Sequence, residues 1–163
     1  MNFSQRNSKK VQTLATFLPI LSRVKRSGKK IVFTNGCFDI LHRGHTRTLQ
    51  KARSFGDVLV VGMNTDVSVK KIKGPRRPVN SEKNRAEVLA ALACVDFVLL
   101  FSEPTPEKLI RALKPDFLVK GGDWKKEGIV GASFVESYGG RVRTVPYLKG
   151  FSTTGLLEKI SRF

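Results

Sequence analysis

Apolar residues fall along this chain in two alternating patterns. Short continuous runs occur at Ile31–Thr34, Asp57–Gly62, Asp96–Phe101, Asp116–Lys120 and Arg141–Val145. Each is too short for a buried helix and predicts a strand covered on both faces. Between them the apolar positions recur every three or four residues, the period of a helix. Leu14, Phe17, Leu18, Leu21 and Val24 predict the first helix, broken or kinked at Pro19 and ended by Ser27-Gly28. A second spans His45–Phe55 and closes at Gly56. Ser81 caps a third, with Val88, Leu89, Leu92 and Ala93 as its apolar face. Thr105-Pro106-Glu107 starts a fourth through a capping hydroxyl, a first-turn proline and an acid at the positive dipole end. Pro115 stops it. Ile129–Tyr138 predicts a fifth, ended by Gly139-Gly140, and Ser152 caps a last one with Leu156, Leu157 and Ile160 on one side.

Strands alternating with helices predict a Rossmann-like, three-layer α/β/α fold with a five-stranded parallel sheet. The expected organisation is one domain: residues 1–28 as a basic arm plus a helix packed on it, and 29–163 as the catalytic unit. Open parallel sheets bind ligands outside the carboxyl ends of their strands. Polar and glycine residues do cluster after each run, at Asn35–His45, Met63–Asp66, Ser102–Thr105, Gly121–Lys126 and Lys149–Thr154.

Composition adds limits. The 163 residues suit one core, and 40% hydrophobic with 26% charged residues is globular rather than disordered. No apolar run approaches the roughly 20 residues of a membrane span. The polar start argues against a secretory leader, and two cysteines make no disulfide framework. The expected location is the cytoplasm, with no membrane partner. A net charge of +17 points to an anionic partner: nucleic acid, a phosphorylated substrate or an acidic surface. The basic residues are spread along the chain, and no RNA-recognition aromatic motif or zinc finger appears, so a basic nucleic-acid-binding module is the distant alternative.

The sharpest candidate site is Thr34-Asn35-Gly36-Cys37-Phe38-Asp39-Ile40-Leu41-His42-Arg43-Gly44-His45. It holds both histidines of the chain, three residues apart at a predicted helix start. Free amides and the dipole there favour phosphate, and Gly44 permits close approach. Two imidazoles could donate to phosphate oxygens as charge develops. The alternative is an incidental cap; a metal site is disfavoured because no Cys/His cluster has ligand spacing. Cys37 reads better as a small buried residue than as a nucleophile. No P-loop ending in Gly-Lys-Ser/Thr and no GxGxxG is present. Further candidates are the basic stretch Lys70–Pro78, read as a loop in which Lys73 or Arg76 reaches phosphate, and Arg85 in the next helix. Lys120-Gly121-Gly122-Asp123-Trp124 offers backbone contact, a sugar-hydroxyl acceptor and a stacking ring. Gly150-Phe151-Ser152-Thr153-Thr154 offers a second anion-binding helix start.

These segments, in this order, resemble the HxGH nucleotidyltransferase superfamily, and within it the adenylyltransferase branch that makes ADP-heptose. The likeness runs from about residue 29 to the C-terminus, over TNGCFDILHRGH (34–45), MNTDVSVKKIKGPRRPV (63–79), VLAALACVDFVLLFSEPTP (88–106), LVKGGDW (118–124), IVG (129–131) and GFSTTGLL (150–157). It implies AMP transfer from ATP to D-glycero-β-D-manno-heptose 1-phosphate, with Mg²⁺ carried by the triphosphate and no metal held by the protein alone. It implies His42, His45 and Lys73 as catalytic residues. Asn35, Gly36, Cys37, Phe38, Gly44, Arg85, Gly122, Asp123, Trp124, Ser152, Thr153 and Thr154 would bind nucleotide. Asp39, Asn64, Asp66, Arg76 and Lys120 would bind sugar phosphate, with Asp39 orienting its loop rather than acting as a base. The alternative within the superfamily is a cytidylyltransferase acting on glycerol 3-phosphate or another polyol or sugar phosphate. Such relatives carry Arg-Thr-Glu-Gly before the last helix where Tyr147-Leu148-Lys149-Gly150 stands here, which argues against CTP. Many relatives are fused to a sugar kinase, so a separate heptose kinase upstream is expected, and a homodimer by the same analogy.

Overall fold

The computed structural model describes residues 9–122, 124–125 and 128–163. The start of the expected basic arm, residues 1–8, therefore lies outside the described residues. Six strands form one sheet: β1 (Val11–Gln12), β2 (Ile31–Gly36), β3 (Val58–Asn64), β4 (Phe97–Phe101), β5 (Phe117–Gly121) and β6 (Arg141–Val145). Their order is β1-β4-β3-β2-β5-β6, and every pairing is parallel. The expected five-stranded parallel sheet is thus corrected to six. The extra strand is two residues beside β4, too short to show any apolar period.

Among the described residues seven helices accompany them: α1 (Leu14–Arg26), α2 (Arg43–Arg53), α3 (Asp66–Lys73), α4 (Glu82–Ala91), α5 (Glu107–Leu113), α6 (Ala132–Ser137) and α7 (Thr153–Ile160). Alternate residues of each central strand face opposite layers. Ile31, Phe33, Val58 and Val60 pack with Phe17, Leu21, Leu109, Ile110 and Leu113 on one side. Val32, Leu59, Val61 and Met63 pack with Leu49, Ala52, Ala86, Leu89 and Ala90 on the other.

The amino edge of the sheet is pinned by aspartates that immediately precede three strands. Asp57 accepts from the Lys30 amide at 2.7 Å, Asp96 from the Leu59 amide at 2.7 Å and Asp116 from the Ile31 amide at 2.9 Å. Asp116 also pairs with Lys30 and Asp96 with Arg53. Each carboxylate thus holds a neighbouring strand in register.

Several local expectations change. α1 runs straight through Pro19, because Pro19 and Ala15 are both exposed and water can satisfy the Ala15 carbonyl left without its donor. Leu18 is 41% exposed, so the buried stripe is Phe17 and Leu21, with Leu14, Ile20 and Val24 packed against it. The basic stretch from Lys70 is not all loop: α3 occupies it up to Lys73, with Thr65 as its cap. In α4 the buried face is Arg85, Ala86, Leu89 and Ala90, while Val88 is 50% exposed and Leu92 lies past the helix end. Thr105 caps nothing, since Pro106 takes the cap position of α5 without a side-chain hydrogen bond. α6 starts at Ala132 rather than Ile129, and α7 buries none of its residues.

Candidate active site

The strand order reverses direction between β2 and β5, so the crevice beyond their carboxyl ends is the switch point of the sheet. The register of β2 against β5 ends with Thr34 opposite Val119, which puts Asn35 and Lys120 at its mouth. Lys120 Nζ donates to Asn35 Oδ1 at 3.4 Å and lies 5.7 Å from the Trp124 ring centroid. Burial lowers the Lys120 pKa, with an opposing pull from Cys37. Asp123 lies outside the described residues.

From β2 the chain turns sharply into α2. Gly36 leaves room for the Phe38 ring, which would come within 3.1 Å of a Cβ there, and Phe38 takes a left-handed φ of 47°. A non-glycine residue in that region is strained and marks a constrained loop. His42 then caps α2, its Nδ1 accepting from the Gly44 amide at 3.1 Å. In the neutral ring the proton must therefore sit on Nε2, leaving an N–H to donate. His45, one turn on, stacks on His42 with centroids 3.8 Å apart. Its other side meets Phe38 at 5.3 Å. Burial, then the neighbouring His42, lower the His45 pKa to about 4, against a weaker opposing pull from the Ile40 carbonyl. Burial also lowers that of His42. Both rings are neutral near pH 7, and His45 Nδ1 is buried without a well-formed hydrogen bond.

The start of α7 closes over this loop. Thr153 Oγ1 donates to the Ile40 carbonyl at 3.4 Å, and Phe151 lies against Gly44 and under Arg43. Ser152 Oγ is the cap, accepting from the Gly155 amide at 3.0 Å, while Thr154 is exposed. Gly122, at φ +116°, hydrogen-bonds the Val145 carbonyl, and a Cβ on it would lie 2.6 Å from the Tyr147 ring.

A second group of the expected residues lies behind the loop and holds it. Arg85 is 2% exposed. Its Nε donates to the Asn80 carbonyl at 3.0 Å, its Nη1 to the Cys37 and Asn64 carbonyls at 2.5 and 2.9 Å, and its Nη2 to Asp66 at 2.6 Å. All three nitrogens are engaged by the protein, so the guanidinium is a scaffold rather than an open phosphate clamp. Asp39, 3% exposed, accepts from Arg77 Nε at 2.5 Å and from the Val79 and Asn80 amides. Burial alone would raise its pKa, but the Asn80 and Val79 amides and Arg77 hold it below the usual carboxylate value. Asn64 donates to Ser68 at 2.9 Å and accepts from the Cys37 thiol at 3.9 Å. Asp66 also donates its amide to Glu82. Asp39, Asn64 and Asp66 are thereby committed to the loop's support. Burial raises the Cys37 pKa, against the pull of Lys73, Arg85 and Arg77, so it is a thiol at neutral pH. Lys73 is exposed and is the largest of the charges that pull the Cys37 thiol down. Arg76 is exposed.

Sequence reasoning missed Arg77, Asn80 and Glu82. They reach Asp39 and Asp66 across gaps of 38, 41 and 16 residues, which no local pattern encodes.

Residues 33–145 match the model of the cytidylyltransferase-like family. The chain belongs to that family. This bears out the expected HxGH nucleotidyltransferase at the level of the family. The bifunctional protein HldE of Geobacter metallireducens is 55% identical over 153 residues, covering 94% of this chain and 31% of that protein. HldE of Geotalea uraniireducens is 55% identical over 151 residues, covering 93% and 31%. The chain thus spans about a third of the length of the curated relatives it matches. Among solved structures, a lipopolysaccharide core biosynthesis protein of Thermoplasma volcanium aligns with a TM-score of 0.63 and 29% identity, over 75% of this chain and all of that one. Pantoate-beta-alanine ligase of Francisella tularensis, at 18% identity and TM-score 0.62, shares the fold. No described helix is long and apolar enough to cross a membrane.

Proposed function

We propose that this chain transfers AMP from ATP to D-glycero-β-D-manno-heptose 1-phosphate, releasing pyrophosphate and forming ADP-heptose. The stacked neutral pair His42 and His45, at the start of α2 beside the switch crevice, carries the reading. The HldE relatives and the lipopolysaccharide core protein support the choice of a heptose among sugars.

The chemistry suits neutral imidazoles. A phosphate oxygen of the sugar phosphate attacks the α-phosphorus, the bond to the bridging oxygen breaks, and pyrophosphate leaves with that oxygen. A phosphomonoester dianion needs no deprotonation, so no general base is required. The site must instead align the two substrates and stabilise charge on the five-coordinate phosphorus. His42 Nε2–H is one such donor, and the free amides at the start of α2 are others. Lys73 adds positive charge from outside the loop. Asn35 to Phe38 and Gly44 would line the nucleotide, with Gly122, Asp123, Trp124 and Ser152 to Thr154 enclosing its other side.

Mg²⁺ would enter on the triphosphate and shield its negative charge. The carboxylates nearest the loop, buried Asp39 and half-buried Asp66, are already bound by arginines, which fits a metal held mainly by the nucleotide. A sugar kinase would supply the sugar phosphate in the cytoplasm.

Pyrophosphate release tests the reading, with ATP and CTP each offered against heptose 1-phosphate and glycerol 3-phosphate. Turnover with ATP and heptose 1-phosphate, lost in His45→Ala, is expected. The cytidylyltransferase-like family model keeps CTP in the panel, and turnover with CTP and glycerol 3-phosphate alone would replace the proposal.

A further inference from the structure

Along the sequence the 30 basic residues are spread, but the fold gathers four of them that the histidine loop does not use. α2 lies against the end of the sheet made by β5 and β6. Its Thr48 meets Gly121 at the end of β5, and the Phe55 ring just past the helix stacks on Phe117 of β5 with centroids 6.1 Å apart. β6 is the edge strand, and its register puts Arg141 beside Phe117 and Arg143 beside Val119. Partners in a parallel register point to the same face of the sheet. Both arginines therefore project to the α2 side, where Val119 packs with Leu49 and Ala52 of that helix.

Arg47 and Lys51 are exposed on α2, and Arg141 and Arg143 are exposed on β6. Phe55 and Phe117 are half-buried and bridge the two rows, with Lys51 Nζ 5.2 Å from the Phe55 centroid. Neither α2 nor β6 contains an acid, and among the described residues none of the four cations forms an ion pair. Arg47 and Lys51 stand about 6 Å apart along the helix axis, and Arg141 and Arg143 about 6.6 Å apart along the strand. Both spacings are close to that of successive phosphates in an extended nucleotide strand, the backbone that a positively charged groove tracks.

We propose that the groove between α2 and the edge strand β6, with Arg47 and Lys51 on one side, Arg141 and Arg143 on the other and Phe55 and Phe117 between them, binds single-stranded nucleic acid. Phosphates take the cations, and a base stacks on the open part of the rings. An acidic peptide would meet the cations but gives the rings no flat face to stack on. A second copy of this chain carries the same charge of +17 and is repelled. This binding is separate from nucleotidyl transfer, and its failure leaves that reading untouched.

The test is fluorescence anisotropy of the whole chain with a labelled oligouridylate of about 12 nucleotides. Four neutralised phosphates on a single strand give a slope of log affinity on log salt of about −2.8, so affinity should fall about fiftyfold from about 50 to about 200 mM salt. Lys51→Gln combined with Arg143→Gln should halve that slope and weaken binding about tenfold at low salt. Phe55→Leu should weaken binding about fivefold and leave the slope unchanged. Arg23→Gln combined with Arg26→Gln, at the exposed end of α1, is the control and should shift affinity less than about twofold. Thermal melting checks each variant, and the exposed charge pair keeps the test sharp if Phe55→Leu loses its packing. No binding at low salt, an equal loss in the α1 control, or displacement of the strand by a non-hydrolysable ATP analogue overturns the groove. Tighter binding of a duplex or of polyglutamate overturns the choice of occupant.

Discussion

Replacing His45 by asparagine should flatten the acid side of the stability profile. In the folded chain burial holds the His45 pKa near 4, against 6.5 for an ordinary imidazole. Above the higher value both folded and unfolded chains carry the neutral ring, and pH has no effect through this group. Between the two values the unfolded chain binds a proton that the folded chain refuses, so stability falls as pH falls. Below about 4 the loss is complete. The gap corresponds to about 3 kcal/mol, and to about 2 once the partial solvent contact of the ring is allowed for. Urea unfolding of wild type and His45→Asn between about pH 8 and about pH 4.5 measures it, because all other groups cancel in the difference. The wild type should lose about 2 kcal/mol more than the variant across that range. Parallel curves would refute the buried neutral ring.

Four substitutions probe the rest of the scaffold. Gly44→Ala would place a methyl 2.9 Å from the His42 ring; it should cut kcat at least about tenfold while shifting the melting temperature little. Arg85→Met removes the group that ties Cys37, Asn64, Asn80 and Asp66 together, and should cost about 3–5 kcal/mol in chemical denaturation. Phe17→Ala, in the core under α1, should cost about 3–5 kcal/mol, whereas Leu18→Ala should fall within about 1 kcal/mol.

The order of apolar runs and helical stretches made the α/β layout legible, because buried parallel strands and amphipathic helices have different periods. The edge strand Val11–Gln12 did not, since two residues carry no period. α3 hid in its own charge: Lys70, Lys71 and Lys73 make it look like a solvated loop, although Val69 is buried and Thr65 caps it. The histidine loop was legible as a candidate site because histidine is scarce in this chain and both copies fall at one helix start. Arg85 was legible as a candidate, but its position one turn into a helix does not show that the Cys37 and Asn64 carbonyls and the Asp66 carboxylate converge on it from other segments. Asp57, Asp96 and Asp116 carried an unread signal, an acid directly before each of three apolar runs.

Those three aspartates also bear on the charge of the crevice. They bind amides at the amino ends of neighbouring strands, so they stabilise the sheet from its far edge. Strands of five to seven residues separate them from the carboxyl edge. At about 3.3 Å per residue that is roughly 17–23 Å, beyond the ~8–10 Å screening length of physiological salt. At ~20 Å a unit charge acts with about one fifth of its energy at ~4 Å. Lys120 stands at the crevice mouth beside Asn35, while the aspartates lie a sheet's length away. The acids closer in, Asp39 and Asp66, are each cancelled by an arginine in contact. The excess of 30 basic over 13 acidic residues is therefore not uniform in effect. At the carboxyl edge Asp39, Asp66 and Glu103 each meet a cation in contact, and Lys120 stands at the crevice mouth, a charge that in the proposed reaction would offset the repulsion between two phosphate-bearing substrates.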